Sequence, residues 1–287
     1  MLTPAQQQAF ADDGYLVLPG FKSPAELAAV CARAHALVDA FEPDAQTGVF
    51  STSDQAGRAD AALIASAHAV HCFFEEEAFN AQGEQVVPKA RAINKIGHAL
   101  HSLDPVFQAF SHGPELAAVA ADLGLQQPQV WQSQVIFKQP GIGGEVRWHQ
   151  DATFFVTEPI SVTTFWFALE DADVDNGCLW AEPGGHRGAR GVLRERFVRE
   201  PLPGGAPGQE RLRLEKLDAT PWPGNDLAVP LPVKAGTLIV FHGLLPHYSA
   251  PNRSPRSRLA YTLHVTDGRT AYAPGNWLQR EGVRGLD

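Results

Sequence analysis

Cysteine is scarce in this 287-residue chain, and the three present, Cys31, Cys72 and Cys178, are far apart with no C-x-x-C. An odd, scattered set cannot pair completely within one chain, so a disulfide framework and a thiolate zinc site are both excluded, and a reducing compartment is the expectation. Basic residues are also short: 23 Lys plus Arg stand against 32 Asp plus Glu, for a net charge of −9. That balance argues against a protein whose main work is gripping phosphate backbones, so no nucleic-acid partner is expected. No stretch approaches the roughly 18 consecutive apolar residues of a membrane span. The opening MLTPAQQQAFADDG lacks the basic and apolar regions of a signal peptide. The expectation is a soluble, cytoplasmic protein. With 44% hydrophobic and 19% charged residues, the composition is that of an ordinary globular chain and not a disordered one.

Helix signals dominate the first part. Thr3-Pro4 supplies a capping hydroxyl and a proline at the first helical position, predicting a helix to about Asp12 that stops at Gly14. Ser23-Pro24-Ala25-Glu26 repeats the start with an acid at the capping-box position, and Leu27, Val30, Cys31, Ala34, Leu37 and Val38 continue at helical spacing towards Phe41. Further helices are expected over Arg58 to Val70 and Pro114 to Leu123. Tyr15–Leu18 reads as a short strand.

After Gln129 the texture changes. Val130–Phe137, Val146–His149, Ser161–Leu169, Cys178–Ala181, Leu231–Val233, Thr237–Phe241 and Ser257–Val265 are short, rich in β-branched and aromatic residues, and bounded by Gly, Pro, Asn and Asp. No linker demands two units. The reading is one domain over 1–287, with a helical part over about 1–128, a β-rich core over about 129–287, and a lid-like insertion over about 183–227. No convincing strand is found from Pro183 to Leu227, and Pro201–Gly208 (PLPGGAPG) is a poor candidate for regular structure. Arg187, Arg190, Arg194, Arg196 and Arg199 crowd this stretch with one intervening acid, Glu195. The local excess suits an anionic substrate; a solvated loop or short surface helix is the plainer reading.

The central chemical feature is Trp148-His149-Gln150-Asp151. Residues two apart on a strand face one side, so an imidazole and a carboxylate converge, a donor pair for a borderline or hard divalent metal. Alone, the pair also suits a hydrogen-bonded structural role. Downstream, in GTLIVFHGLLPHYSAPNRSPRSRLAYTLHV, His247 sits in the turn after a strand and Arg258 begins the next. A ligand from a late strand completes a site in the mouth of a β-barrel. Two His and one carboxylate with open positions form the donor set of non-haem iron(II) oxygenases, and a neighbouring arginine holds a carboxylate by a planar, bidentate pair of bonds.

The chain resembles the phytanoyl-CoA dioxygenase family of Fe(II)- and 2-oxoglutarate-dependent oxygenases. The similarity runs through DGYLVLPGF, INKIGHALHSLDPVF, IFKQPGIGGEV, HQDATF, NGCLW, HGLLPHYSAPN, RSRLAYTLH and GNWLQ, almost the full length. It implies an α+β fold with a double-stranded β-helix (jelly-roll, cupin-like) core and flanking N-terminal helices. It implies Fe(II) on His149, Asp151 and His247, with 2-oxoglutarate as co-substrate and O2 as oxidant. Arg258 would anchor the far carboxylate of 2-oxoglutarate, with Ser249 sharing it, and Lys95, Gln134, Gln150 and Trp166 would line the same pocket. Gln134 stands where the family has methionine, and Trp166 needs a one-residue gap.

The implied reaction is hydroxylation of a small-molecule substrate, small or acyl-type, with release of succinate and CO2. Halogenating relatives replace the carboxylate ligand by a small residue, and Asp151 is present. Arg187, Arg190 and Arg194 are the candidates for meeting an anionic substrate such as an acyl-CoA. Two other classes stay open: a zinc-dependent hydrolase on the same ligands, and a metal-stabilised binding protein without turnover. His242 is the rival third ligand, at a spacing from Arg258 that the family does not use. His98 and His101 read as packing or hydrogen-bonding residues, His186 as a polar loop position, and Trp131, Trp180 and Trp277 as core or rim packing.

Overall fold

Helix starts follow the chemistry of their caps. The Thr3 hydroxyl accepts from the Gln6 backbone while the Gln6 amide reaches back, opening a Pro4–Asp13 helix that ends on Gly14 at φ 81°. Ser23 and Glu26 make the same reciprocal pair at the head of Pro24–Ala40, whose Leu27, Val30, Ala34 and Val38 are buried. The computed structural model describes residues 1–43, 49–50, 58–206, 208–224 and 226–287. A third helix runs over Arg58–Ser66 and another over Pro114–Asp122. Among the described residues no helix is long and apolar enough to cross a membrane.

Two sheets form the core, and among the described residues two short pairs lie outside it, Glu195–Pro201 with Glu210–Lys216 and Thr157–Glu158 with Ala271–Tyr272. The larger orders its strands Tyr15–Leu18, Leu238–His242, Thr163–Ala168, Arg258–Asp267, Pro128–Lys138, Ile93–His98, Val70–Glu75 and Val49–Phe50. The smaller orders Val229–Leu231, Leu179–Ala181, His247–Ser249 and Val146–His149. From Pro128 onward the chain winds between the two, and the pairing within this core is antiparallel. This is the double-stranded β-helix, with helices laid on the outer face of its larger sheet, and the α+β class expected from the sequence is the one observed.

Period-2 alternation divides the larger sheet into two faces. Phe165, Phe167, Leu238, Val240, Leu259, Tyr261, Leu263 and Val265 pack outward in one cluster with the helical Leu27, Val30, Phe107 and Phe110. Trp166, Ala168, Ile239, Phe241 and Ala260 pack inward with Leu179 and Ala181 of the smaller sheet. The outer seam is aromatic: Phe110 lies 5.1 Å from Phe167 and 5.7 Å from Tyr261, whose hydroxyl shares a 2.7 Å hydrogen bond with Ser111.

The structure differs from the sequence reading in three places. The helix begun at Arg58 stops at Ser66, and Val70 instead opens a strand. Val70–Glu75 and Ile93–His98 extend the larger sheet, so the N-terminal part contributes strands as well as helices. Third, the stretch from Pro183 to Leu227 contains a hairpin, Glu195–Pro201 paired with Glu210–Lys216. Its apolar alternation is short, Leu212 and Leu214 in one strand and Phe197 in the other, and is set among charges; Arg199 with Glu210 and Arg211 with Glu200 bind the two strands by ion pairs, while Phe197 and Leu212 are buried. Pro207 and Asn225, both within that stretch, lie outside the described residues.

Phe167 is 1% exposed at the join of sheet and helices. Phe167→Ala should lower the free energy of unfolding by about 3–5 kcal/mol, read as a lower urea midpoint.

Candidate active site

His149 ends one edge strand of the smaller sheet, and His247 opens the strand beside it. The register sets the two directly opposite each other, with ring centroids 4.1 Å apart. Asp151 follows in a short 3-10 turn over Asp151–Thr153, buried, and its Oδ1 lies 3.5 Å from His149 Nε2 and 3.8 Å from His247 Nε2. Within this trio, one potential ligand atom per residue falls within 4.8 Å of the others.

The second ring nitrogens settle the tautomers. His149 Nδ1 lies 2.8 Å from the Arg147 carbonyl and His247 Nδ1 3.0 Å from the Leu245 carbonyl. A carbonyl only accepts, so each Nδ1 donates, and each Nε2 presents its lone pair to the shared centre, as a metal ligand must. Burial, reinforced by His149, lowers His247 to about 4, which keeps that ring neutral at neutral pH. Burial pushes Asp151 up, but the flanking His247 and His264 outweigh it and hold the carboxyl well below its ordinary range. Burial lowers His149, but the hydrogen bond and charge of Asp151 outweigh it and raise that ring, so a metal bound there would take the place of a proton. Two imidazole nitrogens and one carboxylate oxygen suit a divalent ion such as iron(II).

Arg258 supplies a second signature. It is 1% exposed, its Nε donates to the Gly177 carbonyl at 3.1 Å, and its Nη1 has no hydrogen-bond partner among the described residues. Burial lowers it to about 10, still protonated at neutral pH. An unpaired buried guanidinium is costly and invites an anion, so this residue fits the far carboxylate of a dicarboxylic acid. Trp166 is buried on the inner face with its ring 5.7 Å from the guanidinium. Ser249 is buried two residues beyond His247 on the same strand, hence on the same face.

The remaining expected residues divide. Lys95 and Gln134 belong to the rows of adjacent strands leading to Ala260 and Thr262, and so lie on the face that carries Arg258. Burial lowers Lys95 to about 7, and the Gln134 amide donates to Gln132 at 3.1 Å. Gln150 is different. Its Nε2 donates to the Val192 and Leu244 carbonyls and its Oε1 accepts from the Arg194 backbone, so its side chain is committed to backbone groups of neighbouring loops.

Three arginines of the cluster pair with acids outside it. Arg187 pairs with Asp12 at 2.8 Å, Arg190 with Glu182, and Arg199 with Glu210. Arg187 and Arg190, expected to meet an anionic substrate, each sit in an ion pair, so an anion would compete with a carboxylate for them. Arg194 makes no ion pair among the described residues; it is 1% exposed, with its guanidinium 4.6 Å over Trp222.

His242 accepts from the Leu244 backbone on Nδ1 and packs against His186, away from the trio. His98 and His101 bond Ser66 and Ser133. Trp131 stacks on Tyr272 and Trp277 packs on His98. Two residues at the centre escaped the sequence reading: Thr164 donates to Asp151 Oδ2 at 2.5 Å, and His264 Nε2 lies 3.6 Å from the same oxygen. Strand parity with Trp166 and Arg258 was the signal available for both.

Comparison with known proteins agrees with this geometry. The family model described as phytanoyl-CoA dioxygenase (PhyH) matches residues 10–260. Phytanoyl-CoA dioxygenase domain-containing protein 1 of Bos taurus is 45% identical over 286 residues, covering 97% of this chain and 95% of the relative. Among solved structures, the non-heme alpha ketoglutarate dependent carbocyclase SnoK from nogalamycin biosynthesis aligns with a TM-score of 0.65 at 21% identity, covering 100% of this chain and 92% of that one. EctD from S. alaskensis, solved with 2-oxoglutarate and 5-hydroxyectoine, aligns at 0.64 and 19% identity, covering 99% and 86%. The solved structures share the fold; the family match and the near full-length identity go further, and by them the chain belongs to the phytanoyl-CoA dioxygenase family.

Proposed function

We propose that this chain is an Fe(II)- and 2-oxoglutarate-dependent dioxygenase that hydroxylates a small or acyl-type organic substrate, releasing succinate and CO2. His149, Asp151 and His247 would hold the iron, and Arg258, with Ser249, the far carboxylate of 2-oxoglutarate. The observation that carries the reading is the pairing of a two-histidine, one-carboxylate donor set with a buried guanidinium that has an unpartnered N–H among the described residues, inside one barrel. Iron(II) bound there, with 2-oxoglutarate and O2, supplies the oxidising power to place oxygen on an unactivated C–H bond. A hydrolytic zinc ion needs no such arginine.

The chain's own contribution is orientation and exclusion. Carbonyl acceptors lock both imidazoles, Asp151 and His247 are buried while His149 is partly exposed, and Trp166 walls the space beside Arg258. Phe154 packs 6.2 Å from His149 and 5.6 Å from Phe197, so the 195–216 hairpin forms one wall of the approach to the metal ligands. Of the three arginines expected to meet substrate, Arg194, buried and outside any ion pair among the described residues, is the one left as an anchor for an anionic substrate such as an acyl-CoA.

Wild-type protein loaded anaerobically with Fe(II) and exposed to air should convert 2-oxoglutarate to succinate and CO2. His149→Ala should fall to background, and Arg258→Ala should raise the KM for 2-oxoglutarate by about a hundredfold, the scale of losing one side of a buried charge pair. Activity indifferent to Arg258→Ala would point to the hydrolase. Binding gives an independent check: with Mn(II) present, 2-oxoglutarate at about a hundred times its Kd should stabilise the protein by about 2.7 kcal/mol in thermal unfolding, and at the same concentration should stabilise Arg258→Ala by only about 0.4 kcal/mol. In a substrate screen, Arg194→Gln should raise the KM for acyl-CoA substrates while leaving kcat within about twofold; an unchanged KM removes the anchor.

A further inference from the structure

The two oxygens of Asp151 live in different surroundings. Oδ1 faces His149 Nε2 and His247 Nε2, whereas Oδ2 receives the Thr164 hydroxyl at 2.5 Å and lies 3.6 Å from His264 Nε2. Thr164 and His264 come from different strands of the larger sheet, Thr163–Ala168 and Arg258–Asp267, and the register sets them directly opposite each other. Both are buried, at 1% and 5% exposure. The His264 ring stacks on Phe155, centroids 4.8 Å apart and planes 22° from parallel, which fixes the direction of its nitrogens. Its Nδ1 has no hydrogen-bond partner among the described residues, so Asp151 is the polar group that this imidazole addresses.

We propose that Thr164 and His264 form a cross-strand clamp on Asp151 Oδ2 that makes this carboxylate a one-oxygen metal ligand. The proposal rests on the reading of His149, Asp151 and His247 as the metal centre. A free carboxylate can offer a cation one oxygen or both. Two imidazoles and a single carboxylate oxygen leave one face of an octahedral ion open, the arrangement of iron(II) oxygenases; a second oxygen from Asp151 would occupy part of that face. Engaging Oδ2 from behind removes the option and sets the carboxylate plane before any metal arrives. Neither residue is a ligand; both are positioning residues, one sheet fixing a ligand that the other sheet shares.

The test is calorimetric titration of the metal-free protein with Mn(II), accompanied by melting of each metal-free variant. Thr164→Val keeps the shape and removes the donor, and should weaken Mn(II) binding by about 10–100-fold with an unchanged melt; Thr164→Ser should restore near wild-type affinity. His264→Phe keeps the stack on Phe155 and loses the nitrogen, and should also weaken binding, whereas His264→Gln, which keeps a donor, should bind more tightly than His264→Phe. If Thr164→Val does not fold, the His264→Phe and His264→Gln pair decides the matter. Wild-type protein that fails to bind Mn(II) would overturn the metal centre and the clamp together. Wild-type binding matched by Thr164→Val, or by His264→Phe where that pair decides, would overturn the clamp alone.

Discussion

The antiparallel pairing of His149 with His247 puts two imidazoles on one face of the smaller sheet, 4.1 Å apart. Side chains alternate with a period of two, so a slip of one residue in that register would turn one ring out of the barrel and leave Asp151 buried without its partners. The pairing in turn depends on the turn over 243–246 that delivers His247. Gly243 bonds to the Val162 carbonyl there, and a Cβ at that position would fall 2.1 Å from the Val162 side chain. Its own carbonyl accepts from Ala152, next to Asp151. The ligands are thus placed by backbone contacts among three segments.

Two buried cations near this centre show how the fold separates structural from receptive charge. Lys138 Nζ is spent on the carbonyls of Gly144, Ser249 and Ala250. It cross-links the strand that carries Ser249 to the larger sheet and has no need of a ligand. Arg258 occupies the register position opposite Lys138, equally buried, yet keeps an N–H without a partner among the described residues. Leaving a buried charge donor unmatched costs stability, and a chain that retains it opposite a satisfied lysine has kept a place for an anion.

Much of this was legible in the sequence, and the exceptions share a cause. The capping boxes at Thr3 and Ser23, the glycine stop at Gly14 and the core strands follow from local chemistry, and His149, Asp151, His247 and Arg258 stood out by residue type and spacing. Thr164 and His264 did not, because they lie in strands whose residues are buried throughout, TTFWFA and RLAYTLHVTD; alternation assigns them a face, but nothing local tells that this face looks onto Asp151. The hairpin of Glu195–Pro201 and Glu210–Lys216 was missed because its apolar period is only two residues long, Leu212 and Leu214, and is set among charges. Three of the arginines around it pair with Asp12, Glu182 and Glu210, and the first of these is a partner that only the folded chain brings near.

Gln150 shows what lies between two ligands. Its side chain bonds the backbones of residues 192, 194 and 244, one of which leads into the hairpin and another into His247. The peptide that separates His149 from Asp151 is therefore tethered to the two loops that border the site. Mechanically it behaves as a rivet through three plates: a force that lifts the segment at 192–194 is delivered to the backbone between two donors of one metal, so the rigidity of the coordination sphere and the stiffness of the hairpin's root are one property.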